Sequence, residues 1–331
     1  DIRKCNVTNM LPTQALVLTA GLGKRLRPLS NIRAKPAIPV AGEPLVHRLL
    51  RWLVGQGVRD AVLNLHYLPN TITGVIGDGS ELGLRIRYTW EPRLLGSAGG
   101  PRTMLPLLDP CSTFIVNGDT LTDMSLERLA DEHKQSGARV TLAVTDNPDP
   151  TRYGGVTVDD SGWVREFLPP GHQAPSKHFV GVQLVEPSVF NQLTLGEPAS
   201  SVGGLYTGLI ASEPRSIRAH RISGRFLDIG TPADYLETSL ALAPEGGLSK
   251  ITGAGSCVDP SAKLVRTAIW DRVTVEANCE LTDCIITDGV ELPSGSRFTQ
   301  QVLLLQPGSP EPLVTPLVAK PASSPEGATG V

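Results

Sequence analysis

A chain of 331 residues has room for one large α/β domain plus a smaller unit, and a hydrophobic fraction of 40% is enough for a packed core. The formal net charge of −3 argues against general affinity for nucleic acid or anionic membranes, so phosphate binding would need local cations. No apolar run reaches bilayer length, the five cysteines form no C-x-x-C pair, and the six histidines do not join them at zinc-finger spacing; a cytoplasmic protein with reduced thiols, and oxygen ligands for any metal, is the expectation.

In chain order, Asp1–Met10 is polar without the apolar centre of a secretory signal, and residues 1–12 read as a leader. Ala15 to Leu18 forms a short buried strand. Leu45, Val46, Leu49, Leu50, Leu53 and Val54 recur at helical spacing, with Gly55 and Gly57 ending the helix. Strands are predicted at Ala61 to Leu65, Leu84 to Trp90 and Phe114 to Asn117. The helical patterns between and after them fall near 69–76, 99–108 and 125–136. This alternation predicts a Rossmann-like, mostly parallel sheet with helices on both faces.

Beyond Val140 the pattern loosens. Gly155 to Val158 and Trp163 to Phe167 flank Asp159-Asp160-Ser161-Gly162, a hairpin turn, and His178 to Val185 and Ser216 to Ile222 read as strands. Pro232 opens a last helix through Leu242. From Val258 to Phe298 small and apolar residues recur about every six positions, with Ile269, Val275 and Leu281 in one row and Val273, Cys279 and Ile285 in another. That is the period of a hexapeptide β-helix, although an irregular β meander gives a similar pattern. The segments are therefore 13–247 for an α/β domain, 248–300 for a short β-helix, and 301–331 for a Pro-rich tail expected to be disordered. So short a β-helix would pack on the first domain or on a second copy of the chain.

Chemistry concentrates near the first strand. Leu18-Thr19-Ala20-Gly21-Leu22-Gly23-Lys24-Arg25-Leu26-Arg27-Pro28-Leu29 joins a glycine turn, whose amides can face an anion, to three cations. Leu26 stands where a dinucleotide fingerprint needs glycine, and the spacing is wrong for a P-loop. Alone, the segment could equally be a solvated turn. It is followed by Arg33-Ala34-Lys35-Pro36-Ala37-Ile38-Pro39-Val40-Ala41-Gly42-Glu43-Pro44, which fixes a lysine between prolines.

Together the two segments resemble the signature of the sugar-1-phosphate nucleotidylyltransferases: G-x-G-x-R-[LM]-x-P-L-[TS], then P-K-P, then P-[VI]-x-G-x-P. Ala34 replaces the first proline of P-K-P. The resemblance extends to about Ala243, through Glu91-Pro92 and Leu95-Gly96-Ser97-Ala98-Gly99-Gly100, Val116-Asn117-Gly118-Asp119, Tyr153-Gly154-Gly155-Val156, and Phe226-Leu227-Asp228-Ile229-Gly230. It implies that a nucleoside triphosphate and a sugar 1-phosphate react to an NDP-sugar and pyrophosphate, and that the C-terminal unit is a left-handed β-helix. Arg25, Lys35, Asp119 and Asp228 would be catalytic, with Mg²⁺ on the two aspartates. Ala20, Gly21, Gly23, Lys24, Glu91, Gly96 and Gly99 would bind the nucleotide, and Asn117, Gly155 and Lys177 the sugar phosphate.

The chain lacks the lysine of the family's E-K-P, since Leu168-Pro169-Pro170 follows Phe167; Arg165 or Lys177 are the candidates to replace it. GTP with mannose 1-phosphate is the first expectation, through a carboxylate at Glu91 accepting from guanine N–H groups, although Glu91 could instead cap its own segment or pair with Arg93. Alternatives are a dTTP or UTP enzyme for glucose or amino sugars, a cytidylyltransferase of a phosphorylated alcohol, and a non-catalytic regulatory subunit. No G-x-S-x-G elbow supports a hydrolase. Neither a nucleic acid nor a membrane is an expected partner, and a homo-oligomer through the C-terminal unit is.

Overall fold

The computed structural model describes residues 11–245, 247, 251–309 and 311–317. They fall into two compact units, 11–21 with 48–226 and 22–47 with 227–317, so the division cuts across the linear segmentation read from composition. It falls inside helix α1 (Leu45–Gly55).

The first unit is built on a nine-stranded sheet: β1 (Gln14–Leu18), β2 (Asp60–Leu65), β3 (Arg85–Trp90), β4 (Thr113–Asn117), β5 (Val140–Asp146), β6 (Gly155–Val158), β7 (Val164–Leu168), β8 (Lys177–Val185) and β9 (Ile217–Arg221). The main order is β7-β6-β8-β4-β1-β2-β3, with β5 and β9 branching from β8. Strands β3, β2, β1 and β4 are parallel, while β8 runs antiparallel to β4, β5 and β6, as β6 does to β7. The expected mostly parallel sheet is thus mixed: a tight turn such as 159–162 can join only antiparallel neighbours, whereas parallel ones need a crossover. Consecutive residues Ala15, Leu16 and Val17 are all fully buried, which requires cover on both faces.

Helices α2 (Pro69–Ile76), α3 (Gly96–Met104), α4 (Leu126–Ser136) and α5 (Tyr206–Ser212) also belong to this unit. Helix α4 starts where the Ser125 hydroxyl accepts from the Arg128 amide and stops at Gly137, in the left-handed conformation. In the core, Leu16, Ile115, Leu142 and Val185 pack with Met104, Phe190 and Tyr206. The buried Tyr206 hydroxyl donates to Gln183 Oε1 at 2.6 Å. Strand β5 and helix α5 were not anticipated: Val140-Thr141-Leu142-Ala143-Val144 is apolar without alternation, and Gly208 interrupts the helical pattern.

The second unit begins with short 3₁₀ turns at Lys24–Leu26, Leu29–Asn31 and Lys35–Ala37. Pro39–Val40 then pairs with Glu43–Pro44 through Ala41 and Gly42, both at positive φ. Helix α6 (Pro232–Leu242) carries a capping box between Thr231 and Asp234, with proline at its first position. From Cys257 onward parallel strands stack in three sheets, and each strand pairs with the one 17 residues on: Lys263 with Glu280 with Arg297, for instance. Around one coil the inward-facing residues run Val273, Cys279, Cys284 and then Val290, which stacks on Val273. The spacing is therefore six, five, six, and Cys284 takes the place that a uniform period of six assigns to Ile285. One side of each coil is a residue short. Corners recur with the same period at positive φ: Gly255, Arg272 and Gly289; Arg266, Asp283 and Gln300; Asn278 and Gly295.

Order continues past residue 300, where the composition suggested a disordered tail, because Gln301–Leu304 and Leu313–Pro316 pair antiparallel with Val302 and Leu303 buried. Most of the leader, the junction residues 248–250 and the tail from 318 lie outside the described residues. Cys257, Cys279 and Cys284 are free thiols.

Candidate active site

In the parallel part of the sheet, the order β3-β2-β1-β4 reverses direction at the β1/β4 boundary, and such switch points open a crevice beyond the carboxyl ends of the strands. The structure places several of the predicted residues at this edge. Ala20 and Gly21 follow β1. Asn117 ends β4 in register with Leu18, followed at once by Gly118 and Asp119. The Gly118 amide donates to Leu18 O at 2.8 Å, and a Cβ on Gly118 would stand 2.6 Å from that oxygen. Only glycine lets the two strand ends close together here, which sets Asp119, partly exposed, beside the loop that follows β1. Asn117 fits a notch in β8, where Gly181 sits at φ 81° within a register shift and a Cβ would be 2.8 Å from the Asn117 amide nitrogen.

Asn64 is a residue that sequence reasoning missed. Only 3% exposed near the end of β2, it accepts from the Thr19 amide at 2.7 Å and donates to Glu91 Oε1 at 2.7 Å. The other Glu91 oxygen accepts from the Leu95 amide at 2.9 Å, and the residue is 1% exposed. The signal was a lone amide inside Ala61-Val62-Leu63-Asn64-Leu65, where a buried polar group must have partners. Glu91 is thus committed to two internal donors, while Arg93 pairs with Glu197 at 2.7 Å.

Gly96, at φ 76°, and Gly99 lie against the 197–199 segment. The Gly99 amide donates to Ala199 O at 3.2 Å and the Ala98 amide to the same oxygen at 2.9 Å. Gly100 leaves room for the Asn64–Glu91 pair. These glycines admit close packing behind the loop that precedes α3.

At the other end of the sheet, Gly155 lies against Ser176 and His172. His178 stands between Tyr153 and Phe226, with ring centroids 4.5 and 5.4 Å away. Lys177 donates to Asp146 at 2.6 Å, and Arg221 reaches the same carboxylate at 2.6 Å; these partners, Lys177 foremost, hold the Asp146 carboxyl below its ordinary range. Arg165 pairs with Asp159 at 2.7 Å. Both candidate substitutes for the missing lysine are therefore in ion pairs.

In the second unit, Gly23 adopts φ 59° and its carbonyl accepts from the Leu26 amide and from Ser30 Oγ, at 2.9 and 2.8 Å. A Cβ there would lie 3.4 Å from Lys35 Cβ, so the glycine turn and the proline-flanked lysine are packed together. Lys24 and Arg25 project to solvent, whereas Lys35 is 9% exposed. Asp228 is partly exposed, and its carbonyl accepts from Thr238 Oγ1 at 3.1 Å. No group of three or more His, Cys, Asp or Glu able to hold a metal occurs among the described residues. One or two carboxylate oxygens completed by substrate phosphates is the coordination Mg²⁺ favours, and Asp119 in the first unit and Asp228 in the second are each a carboxylate of that chemistry. No helix among the described residues is long and apolar enough to cross a membrane.

Comparison with known proteins accords with this geometry. A family model described as "Nucleotidyl transferase" matches residues 14–245. The mannose-1-phosphate guanylyltransferase of Mycobacterium tuberculosis is 30% identical over 292 residues, covering 85% of this chain and 81% of its own. Mannose-1-phosphate guanylyltransferase 1 of Arabidopsis thaliana is 27% identical over 313 residues, covering 88% and 85%. Among solved structures, HddC from Yersinia pseudotuberculosis shares the fold with a TM-score of 0.58 and 21% identity, over 69% of this chain and 98% of that one. With a switch-point aspartate, a glycine turn packed on a buried lysine and a match spanning most of the chain, the protein belongs to the sugar-1-phosphate nucleotidylyltransferase family, among its mannose-1-phosphate guanylyltransferase-like members.

Proposed function

We propose that the chain transfers GMP from GTP to mannose 1-phosphate. An oxygen of the sugar phosphate attacks the α-phosphorus, the bond from that phosphorus to the bridging β-phosphate oxygen breaks, and pyrophosphate departs. The electron pair leaves with pyrophosphate, so no protein nucleophile is required. The observation that carries the reading is the Asn117-Gly118-Asp119 end of β4 lying against the end of β1 at the switch point. The choice of GTP and mannose 1-phosphate rests on the relatives, mannose-1-phosphate guanylyltransferases by name.

In this reading Asp119 and Asp228 would hold Mg²⁺, which when bound neutralises phosphate charge and polarises the phosphorus centre. Arg25 receives the charge that builds on the departing pyrophosphate, and Lys35, poorly hydrated in its packed site, acts on phosphate near the reacting centre. Lys24 serves the outer phosphates. Ala20, Gly21 and Gly23 let backbone amides approach the triphosphate. Asn117, Gly155 and Lys177 face the sugar phosphate, where Lys177 exchanges its Asp146 partner for the anion. Glu91 works from behind: with Asn64 it fixes the Leu95–Gly99 segment that meets the base.

The test is pyrophosphate release from purified protein with Mg²⁺, across five nucleoside triphosphates and a panel of sugar 1-phosphates, with products identified by mass. GTP with mannose 1-phosphate should give the highest kcat/KM. Preference for dTTP or UTP would overturn the guanine assignment, and no pyrophosphate with any pair would overturn catalysis itself.

A further inference from the structure

Arg33 is two residues from Lys35, and the proposed reaction gives it no task. Its side chain is 12% exposed. Its Nε donates to Asp288 Oδ2 at 2.8 Å and its Nη2 to Asp288 Oδ1 at 2.6 Å, a bidentate pair, while Nη2 also donates to Asp271 Oδ2 at 2.5 Å. The guanidinium carbon lies 5.5 Å from the ring centroid of Trp270, a fully buried side chain. Burial opposes the charge, but the hydrogen bonds to Asp288 and Asp271 outweigh it and raise the Arg33 pKa above its ordinary value.

A second chain of contacts starts from the same tryptophan. Trp270 Nε1 donates to the Tyr235 hydroxyl at 2.9 Å, and that hydroxyl donates to Pro39 O at 2.7 Å. The segment from Arg33 to Pro39 is therefore held at both ends, at its start by the Arg33 side chain on the β-helix and at its end by the Pro39 carbonyl on Tyr235 of α6, which Trp270 of the β-helix holds in turn. Lys35 lies between the two fastenings. Within the segment Ala34 holds φ −53° and ψ 143°, a conformation that a proline ring would impose and alanine does not. Two backbone bonds close the turn itself, the Ala37 amide to Ala34 O and the Ile38 amide to Lys35 O.

We propose that Arg33, Asp288, Asp271 and Trp270 form a clamp that positions Lys35, making the C-terminal coil a working part of the phosphate site. The inference rests on the reading of Lys35 as a phosphate-handling residue. Arg33 is a positioning residue, because its Nε and Nη2 donors are taken up by the two aspartates and it acts through the segment it anchors. The bidentate geometry also excludes lysine as an equivalent, since an ammonium cannot reproduce the planar fork.

The experiment is a double-mutant cycle on the full chain, with kcat and KM measured for both substrates and folding followed by circular dichroism. Arg33→Lys and Asp288→Ala should each lower kcat about ten-fold with KM within about three-fold, and Lys35→Ala should lower kcat/KM about a hundred-fold. In the Lys35→Ala background, Asp288→Ala should add less than about two-fold, because the group being positioned is already gone. Wild-type turnover in Lys35→Ala would overturn the reading of that lysine. A damaging Lys35→Ala combined with full activity in a folded Arg33→Lys, or with effects that multiply in the double variant, would overturn the clamp and leave the lysine reading standing. Arg33→Lys keeps charge and approximate length, so it serves if Asp288→Ala fails to fold.

Discussion

Asp119 and Lys35 are both candidates for phosphate chemistry, and the two units hold them in different ways. Asp119 is delivered by a strand end. The ladder between β1 and β4 fixes Asn117, and Gly118 closes the gap to the end of β1 just before the carboxylate. Lys35 is carried by a run of 3₁₀ turns, fastened by Arg33 and Pro39 to residues more than 190 positions away. A group on a ladder inherits the precision of the sheet. A group on a loop has only the precision of whatever the loop is tied to.

The contrast can be tested from the chemistry outward. Replacing the metal-binding candidates should have the largest effect: Asp119→Asn and Asp228→Asn should each lower kcat by about a hundred-fold or more with folding retained. Near-normal turnover in either would remove that residue from the site. Arg25→Ala should come next, lowering kcat/KM about a hundred-fold through lost stabilisation of the leaving group. If it changes thermal stability alone, the arginine is not part of the phosphate machinery.

Glu91→Gln tests the sheet side without touching substrate. Gln can accept from only one of the two donors now facing the carboxylate, so the other is left opposite an amide N–H. The expected cost is about 1–3 kcal/mol of stability, read by denaturant unfolding, with the order of base preference unchanged. A switch from GTP toward UTP or dTTP would instead put the carboxylate in contact with the base. The smallest effect is expected at a coil corner: Asn278 sits at φ 59°, and Asn278→Ala should cost about 1 kcal/mol with kcat unaffected.

The same contrast decides what could be read in advance. Asp119 and Asp228 could be named as candidates because each ends an apolar run within a compact motif, and the β-helix was visible through its repeating small and apolar residues. Asn64 and Arg33 were not, because their roles depend on partners 27 and 255 positions away. Glu91 shows a different limit: the motif names it, but nothing local says whether a carboxylate faces a ligand or the loop behind it. The uniform period of six failed at Cys284 because inward-facing side chains fix the average spacing around a coil, while the length of each side depends on its corner.

Asp271 and Asp288 are 17 residues apart, which is one coil, so the two acids that grip Arg33 hold equivalent places in consecutive turns of the β-helix. The Ala254 amide donates to Asp271 Oδ1 at 2.7 Å, and the Asp271 amide in turn to Asp288 Oδ1 at 3.1 Å, so each turn braces the carboxylate of the next. This column behaves as a ruler marked in steps of 17. One residue inserted between Arg272 and Thr287 would swing Asp288 out of phase with Asp271 and release the arginine, even if the coil itself closed. A whole turn added after Leu304 would leave the marks aligned. This part of the chain can therefore change length only in quanta of complete turns, and its five-residue side, which looks like a defect in the repeat, sets the pitch of the column that faces Arg33.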